Sequence, residues 1–378
     1  GEEIAFGGDS IRVLKDKPYM VLETEAQAFK STVPFPGQLK LQAVSHLASG
    51  ACGVNYWHWS SIHNACESYW KGILSHDLLK NRIYEEVSEI GQAFKKVSPE
   101  IFGLSKENRT ALVISHTAKS AIEWFPLAAG RSYNDVVMEY FRALYRQNIE
   151  CDVVEAEALK ERIDRYRMVV TPVLYAVGEE VTECLRGFVQ NGGILVSSMR
   201  SFVCDENIKI YHEALPYHLT DVFGMTYQEH TAPENVMLAG KPVRNVAELL
   251  ITDKADSLYR YEHPYWNQYS GVTENAFGEG RAFYIGCDVP FDLLSDLIRM
   301  AADAAGIVPV WKESFPVIIR EGVSADEKKV TFLLNYSGEK KKVLWRGDAA
   351  RELMTGRTVE SGEEILLLEW GCQIWKAR

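Results

Sequence analysis

No C-x-x-C pair occurs among the seven cysteines, Cys52, Cys66, Cys151, Cys184, Cys204, Cys287 and Cys372. A zinc cluster or a thioredoxin-type motif is therefore unsupported, and the sequence calls for no metal and no cofactor. Several of these cysteines, Cys151 and Cys184 among them, lie in apolar stretches and read as small buried hydrophobes. A reducing cytoplasm suits that usage. Basic excess is lacking as well: 41 Lys and Arg against 52 Asp and Glu give a net charge of −11. Such a chain is a poor partner for nucleic acid or anionic lipid. No run approaches the roughly 20 apolar residues of a membrane span. No G-x-G-x-x-G follows a strand and no Walker A is present, so dinucleotide and P-loop sites lack their fingerprints. The chain opens on Gly1 and not on Met, so a missing leader carries no weight.

What the chain does have is bulk: 378 residues, 47% hydrophobic, with nine tryptophans. That is enough for two or three domains with sizeable cores. The stretch from Pro18 to Gly72 holds the chemistry. Tyr19–Leu22 reads as a strand delivering Glu23 at its carboxyl end, with Glu25 two residues on and on the same side if extension persists. Leu39 to Ala48 has helical spacing, with Leu39, Ala43, Val44 and Leu47 on one face. Gly50 and Gly53 then open a second strand, Val54 to Trp59. On that strand Trp57 and Trp59 share a face, and Tyr56 and His58 point the other way. A glutamate at one strand end and tryptophans at the next is how a parallel β/α barrel presents a sugar site. Ile83 to Val97 is an amphipathic helix ended by Ser98-Pro99.

Further on, strands and helices alternate. Thr110–Ile114, Cys151–Val154, Met168–Thr171 and Ile194–Ser197 are apolar runs of the parallel-strand kind. Helices are expected over Asp135–Arg146, Val181–Val189 and Phe291–Ala305. The pattern predicts a doubly wound, flavodoxin- or amidotransferase-like α/β domain over 105–308. Its 170–175 stretch, Val-Thr-Pro-Val-Leu-Tyr, carries no cysteine where an amidotransferase elbow needs one, so the domain reads as structural. Short glycine-punctuated strands over 312–378 predict a small antiparallel β-sandwich with Lys340, Lys341 and Lys342 on a solvated edge. Trp345 or Trp370 there offers a sugar platform; packing against the core is the plainer reading.

The motifs of residues 1–100 resemble those of the family 42 glycoside hydrolases, mostly β-galactosidases. LETEAQ stands where that family has its Met-Glu-Gln nucleophile strand, and PFPGQLKLQAVSHLASGA is similar to its Pro-Gly-x-Leu-Arg helix. YWHWSSIHNACESYWKG resembles its Tyr-Phe-x-Trp-Arg strand and the glutamate-bearing loop beyond. The resemblance implies an α/β multidomain protein whose residues 1–100 are a partial (β/α)8 barrel remnant, starting just before the seventh strand. It implies Glu23 as nucleophile, a galactoside as substrate, and Trp57, Trp59, Glu67 and Trp70 as substrate-binding residues. Trp70 stands where the family often has histidine, and His63 and Asn64 share its loop. The resemblance also implies a homotrimer built by the α/β domain. Retaining glycosidases need two carboxyl groups about 5–5.5 Å apart. The family's acid/base follows an asparagine, and no Asn-Glu dipeptide occurs here. The expectation is thus a C-terminal portion that is inactive by itself and completed by an N-terminal barrel segment. The other reading is a non-catalytic oligomerisation module with a vestigial barrel.

Overall fold

The computed structural model describes residues 1–27, 32–128 and 130–378. They form two compact units. One is Gly1–Glu107 with Arg146–Asn148 and Pro309–Arg378; the other is Asn108–Tyr145 with Ile149–Val308.

The first unit opens with a helix, α1 (Glu2–Lys15), absent from the sequence expectation. Its Gly7-Gly8 pair disfavours helix, yet a Cβ at position 8 would collide with the Tyr19 hydroxyl and Ser49. Close packing therefore requires glycine there and overrides propensity. Glu2 and Glu3 in the first turn and Arg12 and Lys15 in the last suit the helix dipole. Strand β1 (Tyr19–Glu25) follows, then α2 (Gln38–Ala48), β2 (Ala51–Trp57) and α3 (Arg82–Ile101). β1 and β2 pair in parallel as a two-stranded sheet. One side of it packs on the helices around Ala26, Leu39, Ala43, Ile73, Ile83 and Ile90. Met20, Leu22, Glu23 and Glu25 are exposed, as are Cys52, Asn55 and Trp57 of β2. The Glu86 carboxylate of α3 accepts from the Gly37 and Lys40 amides and so caps the start of α2.

Several boundaries differ from expectation: β1 runs on to Glu25, β2 begins at Ala51, and the ends of β2 and α3 shift as well. β2 stops at Trp57, because the Ile73 and Leu74 amides take the His58 and Trp59 carbonyls at 2.8 Å each. Trp57 and Trp59 thus do not share a strand face. α3 runs on through Pro99 to Ile101. Val97 and Ile101 extend its buried stripe, and that burial offsets the one amide Pro99 cannot supply.

In the second unit the parallel core comprises β3 (Thr110–Ile114), β4 (Asp152–Glu155), β5 (Met168–Thr171) and β6 (Ile194–Ser198), with Gly280–Ile285 beyond β6. The order is Gly280–Ile285, β6, β5, β3, β4, so the first strand lies inside and the winding reverses beside it. Helices α4 (His116–Trp124) and α5 (Tyr133–Tyr145) connect β3 to β4, and α6 (Glu179–Gln190) connects β5 to β6. Val136, Val137, Tyr140, Phe141 and Leu144 of α5 are all buried, as their spacing predicts. The looser region after Pro216 supplies antiparallel strands, Ser270–Phe277 and Asp256–Glu262 among them, that extend the sheet to nine.

Residues after 309 form a five-stranded antiparallel sheet, with Lys341–Leu344 and Glu364–Leu367 as a separate pair. The two meet over a core of Trp311, Val343, Trp345, Ile365, Leu367 and Trp375. Trp345 is therefore a core residue and not a sugar platform; its indole N–H donates to the Asp348 carbonyl at 2.8 Å. Trp370 stacks on Phe35, 6.2 Å between ring centres. Among the described residues no helix is long and apolar enough to cross a membrane.

Candidate functional site

The site begins with a register shift. Val21 faces Val54 and Thr24 faces Tyr56, so Leu22 and Glu23 together oppose the single residue Asn55. This two-against-one count is a β-bulge, a device that re-aims a side chain. Both residues are exposed, and regular alternation resumes at Thr24, whose hydroxyl accepts from Gln42 of α2 at 3.0 Å. Glu25 then sits opposite Trp57. Among the described residues no side-chain hydrogen bond or ion pair to Glu23 or Glu25 occurs, although both belong to the paired strand β1.

Beyond β2 the chain makes an aromatic loop, 58–74, whose ends are tied together. Besides the two backbone bonds given above, the Ser61 hydroxyl donates to the Leu74 carbonyl at 2.9 Å and accepts from the Gly72 amide at 3.0 Å. Gln27, just past β1 and buried, donates its side-chain amide to the Gly72 carbonyl at 2.6 Å. The exit of the Glu23 strand is thereby fastened to the loop. A Cβ on Gly72 would lie 2.7 Å from the His58 carbonyl oxygen, so no larger residue fits that closure.

The loop brings some of the expected residues together. Trp57 and Trp70 each meet the His58 ring edge-on, at 4.9 and 6.2 Å between ring centres. Trp59 is 61% exposed, with its ring edge against Tyr84 of α3. Glu67 is exposed, and its carbonyl accepts from the Trp70 amide at 3.0 Å. His63 bonds the His76 carbonyl at 2.6 Å, and Asn64 is a surface residue with no place in this cluster. Sequence reading missed Gln27 and the seat of His58. Each matters through a partner distant in sequence, which no local pattern records.

In the second unit, the turn after β5 holds Val173 at a positive φ of 47°, fully buried. Its amide donates to the Ser198 hydroxyl at 2.7 Å, and the Leu174 amide to Ser201 at 3.1 Å. The turn has the sharpness of a nucleophile elbow but no nucleophile, and its amides are already occupied. Burial pushes the nearby Cys204 thiol up to about 12, far from a reactive thiolate. Among the described residues no group of three or more His, Cys, Asp or Glu is placed to hold a metal ion.

Comparison with known proteins covers the whole chain. Sequence models described as β-galactosidase, β-galactosidase trimerisation domain and β-galactosidase C-terminal domain match residues 1–97, 108–308 and 317–377. The β-galactosidase LacA of Lactobacillus acidophilus is 25% identical over 365 residues, covering 93% of this chain and 54% of LacA. GalA of Bacillus licheniformis is 25% identical over 380 residues, covering 96% and 55%. The chain thus spans about half the length of the curated relatives it matches. The crystal structure of the β-galactosidase from Bacillus circulans sp. alkalophilus superimposes with a TM-score of 0.92 at 23% identity, over 100% of this chain and 58% of that one. That of the enzyme from Rahnella sp. R3 does so at 0.89 and 24%, over 99% and 57%. By its sequence matches, this chain belongs to glycoside hydrolase family 42.

Proposed function

We propose that these 378 residues are the C-terminal portion of a retaining β-galactosidase, acting on terminal β-D-galactosyl groups with Glu23 as nucleophile. The observation that carries this is the Glu23 carboxylate, turned out by a bulge at the carboxyl end of a parallel strand beside an aromatic loop. In such an enzyme one carboxylate attacks the anomeric carbon, and a second carboxyl protonates the departing oxygen. Water then cleaves the glycosyl ester, with the second group acting as base. Trp57, Trp59 and Trp70 offer apolar faces for a pyranose ring, and Glu67 accepts from its hydroxyls.

On this reading β1, α2, β2 and α3 are the last two strands and helices of a (β/α)8 barrel within residues 1–100. Residues 105–308 are a doubly wound flavodoxin- or amidotransferase-like trimerisation domain, and 312–378 a small sandwich. The exposed Met20 and Leu22 support a partner for the two-stranded sheet, namely the barrel strands that precede it in the family. The acid/base belongs to that segment, so this chain alone turns over no substrate.

Nitrophenyl β-galactoside hydrolysis tests the reading. The chain alone is expected to be silent, and a form carrying the upstream barrel active. Hydrolysis by the 378 residues alone, abolished by Glu23→Gln, would overturn the division of labour. An inactive completed form would favour the non-catalytic module.

A further inference from the structure

Gln27 follows Ala26 at the exit of β1 and is only 7% exposed. Burying a side-chain amide is unfavourable unless it finds a hydrogen bond. This one finds the Gly72 carbonyl, 45 residues on, to which its Nε2 donates at 2.6 Å. The backbone pairing of β1 with β2 gives out at the same place. The Ala26 amide reaches the Trp57 carbonyl at 3.5 Å, long against the 2.8 Å bonds that close the aromatic loop. The Gln27 amide takes over where the sheet ends.

Gly72 is itself firmly seated. Its amide donates to the Ser61 hydroxyl at 3.0 Å, and Ser61 is buried. An added Cβ would meet the backbones of His58, Ser60 and Ser61 at 2.7, 2.8 and 3.0 Å. With the Ile73 and Leu74 amides fixed on the His58 and Trp59 carbonyls, the closure moves as one piece. Trp70 lies two residues before Gly72 and Glu67 five, while Glu23 lies four residues before Gln27. One short buried hydrogen bond thus joins the strand of the carboxylate to the loop of the sugar-holding groups.

We propose that Gln27 is a positioning residue for galactosyl transfer. It fixes the loop bearing Glu67 and Trp70 relative to Glu23, so that a ring held by the loop presents its anomeric carbon to the carboxylate. Gln27 acts through the loop and touches no substrate. The inference rests on the reading of Glu23 as nucleophile and adds the residue that sets its distance from the sugar. A loop free to shift by an ångström would still hold the ring but offer the carbon off line, a fault that costs up to about 100-fold in rate.

Two variants test it in the form carrying the upstream barrel. Gln27→Met keeps the length and removes the donor. Gln27→Glu keeps the shape and donates only when its carboxyl is protonated. Nitrophenyl β-galactoside hydrolysis is followed from pH 5 to 8 beside the wild type, with kcat taken per folded chain from circular dichroism melts. Gln27→Met is expected to lower kcat by about 10–100-fold at every pH, with KM within about threefold. Gln27→Glu is expected to match it at pH 8 and to recover toward the wild type as pH falls, because the clasp re-forms. Wild-type kcat in Gln27→Met would overturn the proposal, and so would a rise in KM alone. A loss that vanishes once the folded fraction is counted, or Gln27→Glu without recovery at low pH, would overturn it too. An inactive Glu23→Gln beside a fully active Gln27→Met would sink the clasp and leave the nucleophile reading standing. An active Glu23→Gln, or an inactive completed wild type, would sink both.

Discussion

Asp9 of α1 and Arg320 of the C-terminal sheet form a two-pronged ion pair, 2.8 and 2.9 Å, with side chains only 1% and 3% exposed. Arg12 reaches the same carboxylate at 3.4 Å. Residues 311 apart in sequence are thereby locked within one unit, a link that no local reading of either segment contains.

Removing one partner leaves the other charge buried. Asp9→Ala takes this carboxylate from two buried guanidinium groups, and such losses typically cost about 3–5 kcal/mol. Urea denaturation should show that drop. Replacing all three, Asp9→Leu with Arg320→Met and Arg12→Met, should recover most of it, because the desolvation penalty leaves with the charges.

Glu248 is fully buried. Burial is the main cause that raises its carboxyl to about 7, against the Arg200 amide and charge and the Tyr284 hydroxyl, which favour the ionised form. The Arg200 amide and Tyr284 hydroxyl lie 2.7 and 3.0 Å from its two oxygens. Between the usual value of 4.5 and about 7 the folded chain holds a proton the unfolded chain has released. Stability therefore falls as pH rises through that window, by an amount on the order of 3 kcal/mol. Denaturant midpoints taken from pH 4.5 to 8 should show the decline. Glu248→Gln should flatten it and exceed the wild type at pH 8. An unchanged slope in the variant would assign the effect elsewhere.

Gly72 closes the aromatic loop where His58, Ser60 and Ser61 crowd it. Gly72→Ala should push the closure apart and free the Gln27 amide. Tryptophan emission should shift to the red as Trp70 loses its half-buried seat, and stability should fall by about 1–3 kcal/mol, as for overpacking at a buried position.

Much of the fold was legible because the relevant signals are local. Thr110–Ile114 and Met168–Thr171 are unbroken apolar runs, and each forms a strand with those bounds. The helical stripe of Val136, Val137, Tyr140, Phe141 and Leu144 is buried as its spacing requires. What escaped depends on partners far along the chain. Helix α1 is stabilised by Arg320 and by the fit of Gly8 against Tyr19, not by its own propensity. Trp59 reads as strand until the amide of Leu74, fifteen residues later, takes its carbonyl. The bulge is invisible in YMVLETE because it exists only relative to the register of β2. For the site, sequence supplied the residue types and their order. The outward turn of Glu23 and the clasp through Gln27 came from pairing and packing.

That register also gives the sharpest test between the two acids of β1. In an unbroken strand Glu23 and Glu25 would be equivalent, two residues apart on one face. The bulge ends the equivalence: Glu23 is half of a pair opposing Asn55, whereas Glu25 is in regular register with Trp57. Only one of them can be placed for in-line attack, since covalent catalysis tolerates errors of about an ångström poorly. In a form carrying the upstream barrel, Glu23→Gln should lower kcat by several orders of magnitude and leave galactose affinity within a few-fold. Glu25→Gln should keep kcat within about tenfold and act mainly on KM, through the neighbouring Trp57. A 2-deoxy-2-fluorogalactoside, which slows breakdown of the glycosyl ester, should label the peptide containing Glu23, and tandem mass spectrometry can place the mass on one glutamate. Label on Glu25, or loss of kcat with Glu25→Gln alone, would transfer the nucleophile to that residue and make the bulge a device for clearing Glu23 out of the way.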